Sequence, residues 1–161
     1  GNTNNATVFR ECGGSKCVHG LVQYLDSRHQ ALGIIRELIL TSGGEDDMGT
    51  LLGMMHSAPP SSLTLKSHIL KSLLMCLRES HRTRTVFRKV GGFVYVMSVL
   101  VSMEGCLRAD PCPPWDQVPL SQTLSLLHMV FNTITVAMRF EPANAKFFHL
   151  EICMTSLCDT L

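Results

Sequence analysis

The chain has 161 residues, of which 45% are hydrophobic and 17% charged, with a formal net charge of +1. That length supports one domain with a real core, and the near-neutral balance provides no basic field for nucleic acid. The most apolar stretch, residues 93–101, is broken by Ser98 and falls far short of the roughly 20 residues a membrane span needs, and no signal-peptide pattern is present.

The first element in chain order is also a repeat. Thr-Val-Phe-Arg, two further residues and Gly-Gly run from Thr7 to Gly14 and recur from Thr85 to Gly92. Self-similarity of this kind marks a unit that cannot bury its apolar face alone and stacks on copies of itself. Each copy reads as a short helix ending in Phe-Arg, a turn made by the glycines, and a helix that opens apolar. The turn is expected at the corner between the second and third helices of a unit.

Ser27 followed by Gln30 suggests a capping box opening a helix that runs to Leu40, with Leu32, Ile35, Leu38 and Ile39 on one stripe. Gly43-Gly44 ends it. Asp46 and Asp47 suit the positive end of a short helix reaching about His56. Pro59-Pro60 stops that one, and Ser61 or Ser62 caps a long helix to about Glu79. Its stripe is Leu65, Ile69, Leu70, Leu73, Leu74 and Leu77. Residues 105–119 carry four prolines and the one tryptophan, and read as an inserted surface loop. A further helix from Leu120 places Leu124, Leu127, Val130, Phe131, Ile134 and Met138 together, and Pro142 opens a terminal helix. Period-two alternation is absent. The stretch from Leu77-Arg78 to Phe87 has the spacing of Met138-Arg139 to Phe148, a third and degenerate copy. The fold class expected is all-α: an armadillo-like helical repeat segment, or solenoid, over residues 1–161. The low charge and the start at Gly-Asn-Thr-Asn-Asn suggest a piece excised from a much larger chain, covered at its ends by flanking repeats.

Seven cysteines, an odd number without a small-domain framework, are expected to be free in a reducing, cytosolic setting. Cys12, Cys17 and His19 have a spacing too wide for a zinc knuckle; that pair of cysteines, like Cys153 and Cys158, is expected to pack in the core. No metal or other cofactor is expected. Gly13-Gly14-Ser15-Lys16 resembles part of a phosphate loop but lacks its first glycine and preceding strand, which favours a turn. The histidines form no His-Glu-x-x-His, and no serine lies in a nucleophile elbow. Glu79-Ser80-His81 are sequence neighbours that do not face one another on a helix. An enzyme is therefore not expected.

Two surface features remain. Arg78, Arg82, Arg84, Arg88 and Lys89 stand against one acid, Glu79. Such a corner suits phosphoinositide headgroups or an acidic partner, with a solvated inter-helix corner as the blander reading. Trp115 and Val118 satisfy an aromatic-x-x-aliphatic linear motif, against the plainer reading in which Trp115 folds back on the helices.

Asp46-Asp47-Met48-Gly49-Thr50-Leu51-Leu52-Gly53 with Met55-His56-Ser57-Ala58-Pro59 resembles the BEACH proteins of the Alfy type, the large WD repeat and FYVE domain-containing proteins. So do Leu77 to Arg82, Arg84 to Tyr95, Ala137-Met138-Arg139 and Glu141-Pro142-Ala143-Asn144 with Phe147-Phe148. The resemblance spans about Val8 to Phe148, and departures at 106–114 and over the last dozen residues point to a paralogue of Alfy. It implies an armadillo-like region ahead of pleckstrin-like, BEACH, WD-repeat and FYVE parts. It also implies scaffolding in vesicle trafficking, selective autophagy or antigen presentation. The chain is then cytoplasmic, with protein partners and no nucleic acid, and it reaches endosomal or autophagic membranes only indirectly, through other domains. No functional residue of the family falls on a position here. The rival readings are a membrane-contacting module acting through Arg78–Lys89 and a fragment of an enzyme whose site is not visible.

Overall fold

The structure, a computed structural model, describes residues 2–111 and 113–152. It begins with two short helices, α1 (Asn2–Glu11) and α2 (Gly14–Leu21), and a long one, α3 (Leu25–Leu40). Next come α4 (Glu45–Ser57) and the long α5 (Leu63–Glu79). Two short helices, α6 (His81–Lys89) and α7 (Gly92–Val101), again precede a long one, α8 (Leu120–Met138). The described part ends with α9 (Pro142–Phe147), whose last turn widens into a π-helical one over Phe148–Ile152. All-α is the observed class, and no strand occurs among the described residues.

The order short, short, long sets the phase of the repeat. α3, α5 and α8 lie side by side with α5 in the middle, and behind them α2 packs on α3, α4 on α5 and α7 on α8. α1 and α6 are the first helices of the first and third units. The middle unit has no such helix; only the loop from Thr41 to Gly44 stands in its place. The Gly-Gly corners therefore join the first and second helices of a unit, one position earlier than the sequence suggested, because the long helix comes next.

The two corners are built alike. Gly13 and Gly91 adopt the left-handed region with φ of 78° and 80°, where a β-carbon costs energy. Gly14 and Gly92 need close approach: a β-carbon would lie 2.5 Å from the Phe9 ring and 2.4 Å from the Phe87 ring. The Phe of each motif thus lies over the second Gly of the same motif. Phe87 is fully buried and meets Phe93 edge-on at 5.1 Å between centroids, whereas Phe9 remains 37% exposed.

Helix ends follow the expected breaks with local differences. α3 starts two residues before Ser27, whose hydroxyl donates to the carbonyls of Leu21 and Tyr24 and caps nothing. Ser62 occupies the N-cap of α5 without a capping bond. Ser80 does cap: its hydroxyl oxygen accepts from the Thr83 amide at 3.1 Å and opens α6 directly after α5. The core takes Leu32, Ile35, Leu38 and Ile39 from α3 and Ile69, Leu70, Leu73, Leu74 and Leu77 from α5, as their periodicity predicts. On α8 the expected stripe is only half right. Leu127, Val130 and Ile134 are buried, but Leu124 and Phe131 face out, and Thr123, Leu126, Thr133 and Ala137 face in.

Candidate functional site

The five cations of the corner at Arg78–Lys89 do not form one patch. Three turn inward. Arg82 donates from Nη2 to the carbonyls of Ile39, at 3.0 Å, and Thr41, and lies 3.9 Å from Glu45. Arg84 donates from Nη1 to the Leu77 carbonyl at 2.9 Å and from Nε to Glu141 at 3.0 Å. Arg88 donates to Asn144 Oδ1 at 3.0 Å, and Asn144 Nδ2 donates back to the carbonyls of Arg84 and Ala137. Only Arg78 and Lys89 are freely exposed. Arg78 shares a hollow with Ser80, His81, Arg139 and Phe140 where the ends of α5 and α8 meet. There His81 pairs with the buried Glu141. Phe140 holds φ at 57°, is 81% exposed, and has the Arg139 guanidinium 5.1 Å from its ring centre. The spacing of the third copy, which set Arg139 opposite Arg78, was the signal that could have located this neighbour.

The inward arginines show how the repeats are joined. Arg10 and Arg88 hold the same place in the doubled motif, and each reaches the unit after its own: Arg10 Nε to Asp47 Oδ2 at 2.8 Å, Arg88 to Asn144. Arg10 also donates to the carbonyls of Leu38 and Ser42 and to the Thr41 hydroxyl. With Arg82 on Ile39 and Thr41, the loop replacing the missing helix is gripped by one arginine from each flanking unit. Charge-assisted bonds to the exposed carbonyls at a helix C-terminus satisfy groups the helix itself leaves unpaired.

Asp47 forms a second polar centre, which sequence reading missed because its partners lie 28 to 37 residues away. It is 2% exposed. Burial alone would raise its pKa; bonds from His19, Ser15 and Arg10 outweigh that and hold it at about 2. Ser15, His19 and Asp47 are not a hydrolytic triad. The Ser15 hydroxyl donates to Asp47 Oδ1, and His19 Nε2 lies 3.3 Å from the same oxygen. A triad needs the imidazole between hydroxyl and carboxylate, free to take the hydroxyl proton. In the Gly13-Gly14-Ser15-Lys16 turn the Ser15 hydroxyl is already donated to this carboxylate, whose negative charge disfavours a phosphate there.

The cysteine expectations divide. Cys76 and Cys106 are buried, and burial pushes the Cys76 thiol up to about 12. Cys12 and Cys17 are exposed, against the core packing expected of them: Cys12 lies in the turn that follows α1 and Cys17 on the outer side of α2. Cys112, Cys153 and Cys158 lie outside the described residues. No group of three metal-ligating side chains occurs among the described residues. Trp115 is 4% exposed, its indole N–H donating to the Ser102 carbonyl at 3.2 Å, and Val118 packs partly against the core. The linear-motif pair thus anchors the 105–119 loop in this conformation. No helix among the described residues is long and apolar enough to cross a membrane.

The long-helix layer offers a cleft of about 170 Å³ between α3 and α5. The two helices run in the same direction: Arg28 and His29 stand opposite His68 and Ser72, Arg36 opposite Met75, and Leu40 opposite Glu79. Leu25, Leu32 and Met75 supply apolar walls. Arg28 is buried and tied to the carbonyls of Val22 and Gln23.

Compared with known proteins, residues 56–161 match the family described as Armadillo-like repeats. The whole chain aligns, 30% identical over 168 residues, with WD repeat- and FYVE domain-containing protein 4 of Homo sapiens. The Mus musculus protein of the same name is 29% identical over 168 residues. The chain spans about 5% of the length of each of these relatives. No solved structure matches.

Proposed function

The chain belongs to the armadillo-like repeat family, and from that premise we propose that it is a non-catalytic scaffold stretch of a much larger BEACH-type protein, offering its helical surface to protein partners. The setting is vesicle trafficking, selective autophagy or antigen presentation, on the cytoplasmic side of endosomal or autophagic membranes. The observation that carries this reading is the construction of the repeats. Long helices lie side by side with an open cleft, and arginines fasten each unit to the next. A fastened solenoid holds its surface and the spacing of its ends. The hydrogen bonds of the Asp47 and Glu141 centres join side chains of different helices. Proximity labelling with the full-length protein, with and without residues 1–161, tests the proposal. Loss of a defined set of protein neighbours with membrane recruitment intact is the expected result. An unchanged set of neighbours, or loss of recruitment itself, refutes it.

A membrane-contacting role draws on one observation, the exposed Phe140 beside Arg78 and Arg139. Flotation with phosphoinositide vesicles tests it through Arg78→Glu with Arg139→Glu. Reversal of Arg82 or Arg84 would break bonds inside the fold and is unsuitable.

A further inference from the structure

We propose that the hollow between the C-terminal ends of α5 and α8 binds a phosphorylated tyrosine side chain of a partner protein. The inference rests on the scaffold reading above and names the chemistry of one partner. The hollow measures about 500 Å³, and Arg78, Arg84, Arg139, His81, Phe140 and Val136 line it. It lies at the helix ends, apart from the cleft between α3 and α5.

The first observation is a local surplus of cations. Arg78 and Arg139 are exposed and pair with no carboxylate among the described residues. Arg84 spends Nε on Glu141 and Nη1 on the Leu77 carbonyl, and its Nη2 has no acceptor among the described residues. His81 meets Glu141 through Nδ1 and keeps Nε2 for a further partner. Glu141 is thus already met twice, which leaves Glu79 as the one uncommitted acid on the wall. Guanidinium groups hold a phosphate dianion through paired N–H donors, and a bound phosphate relieves the repulsion among them.

The second observation is Phe140. It holds φ at 57°, a left-handed conformation that costs an L-residue energy, yet it is 81% exposed and adds nothing to the core. Strain kept without a gain in packing points to a residue placed for contact. The Arg139 guanidinium lies 5.1 Å from the centre of its ring. An aryl phosphate uses both features at once: its ring packs against Phe140 and Val136 while its phosphate meets the guanidiniums.

The surroundings favour a single phosphate over a membrane. The next hollow along α5 is lined by Glu37 and also by Glu79. A phosphoinositide bilayer is anionic across its face and would press against both acids, whereas one phosphorylated side chain enters only the hollow. Grouped arginines are a recurring means of reading phosphate on a protein.

Fluorescence anisotropy with the full-length protein and a labelled glycine-serine peptide carrying one phosphotyrosine tests the proposal. The same peptide unphosphorylated, a phosphoserine version, and phosphatidylcholine vesicles containing phosphatidylinositol phosphate provide the comparisons. The phosphotyrosine peptide is expected to bind about tenfold more tightly than either other peptide. Arg78→Glu with Arg139→Glu, both at exposed positions, should abolish that preference while hydrogen exchange across α5 and α8 stays unchanged. Phe140→Gly should weaken phosphotyrosine binding although it relieves backbone strain, a split that a merely structural role would not give. Equal binding with and without phosphate, or a preference kept by the charge-reversed protein, overturns the inference and leaves the scaffold reading standing. Equal binding of the phosphoserine peptide overturns the assignment to tyrosine. Vesicle binding lost on the same reversals assigns the hollow to lipid headgroups and also overturns it.

Discussion

Gly14→Ala and Gly92→Ala make the same change at the same position of the same motif, and the structure predicts different outcomes. At Gly92 the added carbon would lie 2.4 Å from the Phe87 ring, which is fully buried and wedged against Phe93. Phe93 in turn meets Phe147 at 6.0 Å and Phe148 at 5.5 Å, so Phe87 cannot retreat without disturbing the aromatic cluster that joins α6, α7 and α9. Overpacking of this kind costs about 1–3 kcal/mol. For a chain of this size that is a fall in Tm of roughly 2–4 °C per kcal/mol. At Gly14 the added carbon would lie 2.5 Å from Phe9, but that ring is 37% exposed and can rotate into solvent. Gly14 also begins α2, where alanine gains up to about 1 kcal/mol of helix propensity over glycine. The expected net change is within about 0.5 kcal/mol.

Thermal and urea unfolding followed by circular dichroism measure both. Gly13→Ala and Gly91→Ala provide the comparison, since both residues are left-handed and both changes should cost about 1–2 kcal/mol. A double-mutant cycle with Phe87→Leu should return part of the Gly92→Ala loss, because the smaller side chain vacates the space the methyl needs. Equal losses at Gly14 and Gly92, or no coupling between Gly92 and Phe87, would show that the second glycine is not there for ring contact.

Asp47→Asn should destabilise the chain at pH 7 by about 2 kcal/mol, the value of a carboxyl held at about 2 against an ordinary 3.8. Because the folded-state pKa is the lower one, this stability is complete above about 4 and is lost as pH falls toward 2. Urea midpoints of the two chains should therefore converge in acid. Arg82→Ala removes the bonds to Ile39 and Thr41 and should cost about 1–2 kcal/mol, whereas exposed Arg78→Ala should change stability by less than about 0.5, both read from urea midpoints. Phe140→Gly should raise Tm, since it relieves a left-handed L-residue worth about 1 kcal/mol and gives up a side chain that is 81% exposed.

Helices were legible in the sequence wherever one face was charged and the other apolar. On α5 Lys71 and Arg78 mark the outer side, although Lys66 is buried, and the stripe from Ile69 to Leu77 falls where the spacing puts it. α8 carries no Asp, Glu, Lys or Arg, so its periodicity has no polar face to set the phase; Thr123 and Thr133 could be read as outside residues, yet both are buried. The corners were legible as glycine turns, but their position within the unit depends on which helix is long. The candidate sites were less legible for a single reason: an arginine's reach is invisible in a linear text. Arg82, Arg84 and Arg88 look like a surface patch because they are close in sequence, and their acceptors lie 43, 57 and 56 residues away.

The fastening arginines share a place in the repeat. An arginine at a first-helix corner meets the C-terminal end of a long helix or the start of the next unit, where unpaired carbonyls, Asp47, Glu141 and Asn144 await it. On the long helix α3, by contrast, Arg36 meets the Met75 sulfur of α5 and Arg28 the carbonyls of Val22 and Gln23. Arg10 of α1 and Arg82 of α6 thus brace the end of α3 from the two flanking units.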